Sequence, residues 1–99
     1  MGFYLLAYYG TGQPVPPEQR NANREAWRKW NQALGEVYGI RTAPGGVTVT
    51  GQGAAPYNGQ LRGVSIIQAD SLQAAAEIAR GAPSIALGGH VEVLSEFEV

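Results

Sequence analysis

A chain of 99 residues makes one small domain, because a second hydrophobic core would not fit in it. It is 44% hydrophobic and 15% charged, apolar enough for a packed core, and its 14 glycines and 6 prolines follow no triplet period, which excludes a collagen-like fibre. Seven Lys+Arg against eight Asp+Glu leave a formal net charge of −1, so there is no bulk attraction to nucleic-acid phosphates or anionic lipid.

The opening run Phe3 to Tyr9 is apolar or aromatic throughout and ends at Gly10-Thr11-Gly12. Its length and flanks predict a strand covered on both faces. It is far too short to span a membrane and lacks the basic head and small-residue cleavage site of a signal peptide. Gly2 fits a myristoylation start, but Leu6 stands where Ser or Thr is needed. The chain has no cysteine, so it can hold no disulfide, zinc–thiolate site or cysteine nucleophile. A soluble cytoplasmic protein is the expectation.

After a proline-rich loop, Asn21 to Tyr38 reads as a helix. Ala26, Trp27, Trp30, Ala33, Leu34 and Val37 recur at steps of three and four and form one apolar stripe. Asn21 or Asn23 is placed to cap its start, and Gly39 to supply the left-handed residue after its end. Val47-Thr48-Val49-Thr50 alternates as a half-buried strand does, and Leu61 to Ala69 predicts the next strand. Asp70 as N-cap with Gln73 three residues on has the form of a capping box. The helix it opens turns Leu72, Ala75, Ala76 and Ala79 inward and stops at Gly81 and Pro83. His90 to Val99 predicts the last strand, with Val91, Val93, Phe97 and Val99 alternating against His90, Glu92, Glu96 and Glu98.

The order strand, helix, strand, strand, helix, strand is that of a ferredoxin-like α+β domain over residues 1–99. Right-handed crossovers place both helices on one face of a four-stranded antiparallel sheet of order 4-1-3-2, with Val47–Thr50 as strand two. The other sheet face is then left for water, a ligand or a second copy of the chain.

Three stretches resemble the YCII-related proteins and their DGPF-like branch. They are the opening Phe3-Tyr4-Leu5-Leu6-Ala7-Tyr8-Tyr9-Gly10, the helix entry Ala69-Asp70-Ser71-Leu72-Gln73-Ala74-Ala75, and the closing Gly88-Gly89-His90-Val91-Glu92-Val93. The resemblance implies a subunit that pairs through its sheet into a dimeric α/β barrel with a cleft at the sheet faces. Related domains sometimes accompany transcription factors. Many YCII proteins carry a first-helix histidine in a proposed His–Asp site; this first helix has none, with Trp27 or Trp30 in that neighbourhood. The DGPF tetrapeptide is replaced by Ala54-Ala55-Pro56-Tyr57-Asn58-Gly59. The family's catalytic assignment therefore does not carry over.

His90 is the only histidine, and the one side chain that titrates near neutrality without a large shift. Glu92 lies two residues on along the same strand face, placed to orient the imidazole as a general base requires. His90 and Glu92 are the catalytic candidates. Tyr4, Tyr8 and Ser65 are the ligand-binding candidates, since tyrosines on a central strand would line the floor of a sheet-face pocket. Arg20, Arg24 and Arg28, spaced by four, make a basic ridge. His90 with Glu92 and Glu96 is the one arguable metal set, and it is weak, so neither a metal nor any other cofactor is expected. Gly10-Thr11-Gly12 lacks the third glycine and adjoining helix of a dinucleotide fingerprint, and the only lysine, Lys29, is no phosphate-loop lysine. RNA binding through the sheet would need aromatics in Arg62-Gly63-Val64-Ser65-Ile66-Ile67, and none is there. The expected partners are a second copy of the chain and a small organic ligand, with neither nucleic acid nor membrane. The alternative is a non-catalytic dimerisation or accessory domain.

Overall fold

A computed structural model describes residues 1–97 of the chain. The elements run β1 (Gly2–Tyr9), a single 3-10 turn (Pro17–Gln19), α1 (Arg20–Leu34), β2 (Tyr38–Arg41), β3 (Val47–Thr50), β4 (Gly53–Pro56), β5 (Leu61–Ala69), α2 (Leu72–Ala79), α3 (Pro83–Ala86) and β6 (His90–Ser95). A four-stranded antiparallel sheet has the order β2-β5-β1-β6, with the long strands β1 and β5 at its centre.

An α+β domain with a four-stranded antiparallel sheet is therefore present, but the expected order with Val47–Thr50 as its second strand is not. Tyr38–Arg41 takes the edge beside β5, while β3 and β4 pair only with each other in a separate two-stranded ribbon. The cause is the point at which α1 stops. Gly35, at φ 64°, takes the left-handed conformation that the prediction assigned to Gly39. A residue with a Cβ pays about 1–2 kcal/mol there, so a glycine is the natural stop, and the β-forming Val37, Tyr38 and Ile40 follow at once. The Val37 N–H then donates to the Ile66 carbonyl at 2.7 Å and begins the edge pairing.

Register fixes the two faces of the sheet. Tyr4, Leu6 and Tyr8 of β1 stand opposite Ile67, Ser65 and Gly63 of β5, and opposite Ser95, Val93 and Val91 of β6. This row lies under the helices, where Leu6, Tyr8 and Ile67 join Ala69, Ala75, Ala79 and Ala82 in the core. Burying Leu6 and Ile67 stabilises the fold by about 1.5–3 kcal/mol each. The small alanine face of α2 lets it lie close to the sheet: Ala75 and Ala79 are buried, while Leu72 and Ala76, predicted inward, are exposed. Its cap is Ser71 rather than Asp70, because the Ser71 Oγ accepts from the Ala74 N–H, three residues on, at 3.0 Å.

The helix α1 is held by fewer contacts. Trp27, Trp30 and Leu34 are half-buried against the core, whereas Ala26, Ala33 and Val37, expected in the same stripe, are exposed. No side chain caps its start; the 3-10 turn leads into it, and Gln19, not Asn21 or Asn23, is the N-cap. A Cβ on Gly81 would come within 3.0 Å of the Trp30 ring, so the missing side chain there admits the indole. The strand β6 ends at Ser95. Phe97, predicted in the inward row, is 84% exposed, and the predicted positions of Glu98 and Val99 fall outside the described residues.

Candidate functional site

On the helix side of the sheet, a cleft opens between the Gly10–Pro16 loop, α1 and α3. It comprises two adjoining cavities of about 680 Å³ each, which share Pro14, Val15, Asn23, Trp27 and Arg41 as a common wall. One extends along α1 past Arg20, Arg24, Arg28 and Asn31. The other passes beneath the loop to Arg62 and to Ser84, Ala86 and Leu87 in and just after α3. The i,i+4 spacing of the three α1 arginines puts them on one helical face. Arg41 arrives from the last position of β2 and Arg62 from the start of β5, next to the irregular pairing at Tyr8/Tyr9.

Arg41 forms the centre of the wall. Its guanidinium lies 4.2 Å from the Trp27 ring centroid and 5.2 Å from that of Tyr8, and it donates to the Asn31 Oδ1 and, at 3.3 Å, to the Ile40 carbonyl. Cation–π stacking and neutral acceptors thus hold it while its charge stays uncompensated. Among the described residues, the cleft arginine that meets a carboxylate within ion-pair distance is Arg28, through Glu25. Arg28 holds the Glu25 carboxyl below its ordinary value, chiefly by donating a hydrogen bond to it.

Beneath the wall runs a buried polar chain. The Trp30 Nε1–H donates to the Tyr8 hydroxyl at 3.1 Å, Tyr8 donates to the Ser65 Oγ at 2.8 Å, and Ser65 donates to the Glu36 Oε2 at 2.5 Å. Every donor points towards the carboxylate, the one group that can only accept when ionised. Tyr8 and Ser65 are fully buried, and Trp27 meets Tyr8 edge-on at 5.1 Å. The chain pins α1 to the sheet and so fixes the indole and guanidinium that line the cleft.

The predicted site residues are divided between the two faces. Tyr4, Tyr8 and Ser65 lie on the helix side, not on the open face where a pocket was expected. His90 and Glu92 are on the open face, where His90 stacks flat on Tyr9 at 4.7 Å and 3°. Glu92 acts on Tyr9: it raises the phenol above its ordinary value, first as a hydrogen-bond acceptor, then with help from desolvation and its charge. Neither His90 nor Glu92 lines either cavity, although Gly89 does. No three His, Cys, Asp or Glu side chains among the described residues gather closely enough to hold a metal ion, so His90, Glu92 and Glu96 do not form the set considered above. Arg20, Arg24 and Arg28 were visible in the sequence as a ridge. Arg41, Arg62 and Ser84 were not, because only the strand register and α3 bring them to the cleft.

Helices α1 and α2 packed on one face of a four-stranded antiparallel sheet, with a cleft on the helix side, define a small α+β domain. The sequence matches the family model of the YCII-related domain over residues 1–98, and the chain belongs to that family. No curated protein matches the sequence. Among the described residues, no helix is long and apolar enough to cross a membrane.

Proposed function

We propose that the protein binds a small organic molecule in the cleft between α1, the Gly10–Pro16 loop and α3, and that it does so as a homodimer. The observation that carries the first part is the pair of cavities meeting at Trp27 and Arg41, each large enough for a metabolite-sized ligand. An aromatic wall with a few polar groups is the usual make-up of such a site. A thermal-shift screen against a metabolite library tests it, since a ligand that binds only the native state raises the melting point. The expected hit raises the melting point of the wild type and leaves Trp27→Ala unmoved; a hit that shifts both equally places the ligand elsewhere.

The homodimer reading rests on the open sheet face. Phe3, Tyr38, Ile40 and Leu94, between 38% and 59% exposed, surround half-buried Leu5, Val64 and Ile66. A contiguous apolar patch on a soluble chain marks an interaction surface. Light scattering after size exclusion should report a dimer, and Ile40→Glu a monomer; a wild-type monomer at micromolar concentration removes this reading. A catalytic role for His90 with Glu92 would then belong to the rim of that interface. His90→Ala should change stability by less than about 1 kcal/mol, so a loss of turnover in it reports chemistry rather than folding.

One observation favours a second reading, a non-catalytic dimerisation or accessory domain such as those that accompany transcriptional regulators. His90 is stacked against Tyr9 outside both cavities, so the chain's one histidine does not face the cleft. A dimer that takes up nothing from the library would favour it.

A further inference from the structure

We propose that the cleft selects a small organic anion, with a carboxylate or phosphate headgroup on Arg41 and Arg62 and a flat apolar body along Trp27. This rests on the cleft being the ligand site. The chain is almost neutral, yet its charges are sorted. Five of its seven Lys+Arg residues line the two cavities, and no carboxylate among the described residues does. Charge of one sign focused in a low-dielectric cleft raises the local concentration of ions of the opposite sign.

Arg41 gives that charge a defined direction. It spends two donors on neutral oxygens and rests on two aromatic faces, which leaves other N–H groups of its planar fork for an oxyanion. Arg62 likewise bonds the Gln60 side chain at 2.7 Å and the Leu61 carbonyl at 3.2 Å, not a carboxylate.

Titration of the full-length protein by calorimetry and amide NMR with benzoate, phenyl phosphate and the neutral isostere benzyl alcohol tests the assignment. The expected result is that one or both anions bind about tenfold or more tightly than benzyl alcohol and weaken as salt is added. Arg62→Gln and Arg41→Gln should each erase most of that preference, and the tighter of the two anions identifies the headgroup. If Arg41→Gln fails to fold, Arg41→Lys replaces it, keeping the charge but losing the planar fork. Equal binding of anions and alcohol, lost in Trp27→Ala, overturns the anion assignment while leaving the cleft as the ligand site. If no probe shifts the amides of the cleft at millimolar concentration, both readings fall together.

Discussion

Replacing Ser65 by alanine breaks the polar chain under the cleft at its middle, and the cost follows from what each neighbour loses. The Tyr8 hydroxyl, fully buried, is left with a proton and nothing to accept it. Stranding a buried donor costs about 1–3 kcal/mol. Glu36 loses a short charge-assisted bond, but it is only half-buried and water replaces much of it, for about 0.5–1.5 kcal/mol more. The sum is about 1.5–4.5 kcal/mol, which in a domain of this size lowers the melting temperature by roughly 7–22 °C. Tyr8→Phe strands the Trp30 N–H and removes the donor to Ser65, for about 2 kcal/mol. The double variant should cost less than the two single ones together, with a coupling energy of about 1 kcal/mol or more, because the second change meets a bond already gone. Urea denaturation followed by circular dichroism measures all three. A Ser65→Ala loss below about 0.5 kcal/mol, or strict additivity, would show that the hydroxyls are not linked as described.

Gly35→Ala should cost about 1–2 kcal/mol purely through backbone strain, since nothing lies within 4 Å of the added Cβ; a lower urea midpoint at unchanged slope is the expected signature. Glu25 has a folded-state value held below its ordinary 4.5, so its contribution to stability is present above 4.5 and is lost as pH falls through the lower folded value. Carboxyl NMR titration should find Glu25 below the other exposed glutamates, and back among them in Arg28→Gln. Tyr9 is displaced in the opposite direction, so its contribution holds below its ordinary value of 10.0 and fades as pH rises through the higher folded one. Glu92→Gln should bring the phenol back down in an alkaline absorbance titration, and an unmoved curve would remove Glu92 as the cause.

The strand β1 was legible as an unbroken apolar and aromatic run ending at turn formers, β5 through its Val64, Ile66 and Ile67 between turn formers, and α2 because its punctuation is sharp. The edge strand was not legible. Val47–Thr50 carries the stronger local alternation, but alternation says only that a segment is extended, not which partner it finds. Two glycines, Gly35 and Gly39, were both able to stop α1, and choosing the later one concealed β2 inside a helix. With four residues, α3 is too short for periodicity to reveal it. The site failed for a related reason. Parity groups Tyr4 with Tyr8, but the alternate row of Phe3, Leu5 and Ala7 is equally apolar, so β1 alone does not say which row lies under the helices. Arg41 and Arg62 are unremarkable in sequence and reach the cleft through tertiary register.

The ribbon of β3 and β4 bears on how readily this chain can be altered. Every residue from Arg41 to Pro56 is exposed, and the two ends of the ribbon already touch, the Tyr57 N–H donating to the Gly46 carbonyl at 2.9 Å. Closure of the chain is thus achieved at the ribbon's root, not its tip, and loop-closure entropy rises only slowly with added length. The segment is therefore a natural splice point: excising residues 47–56, or grafting a longer insert in their place, leaves the sheet register and the arginine cleft intact.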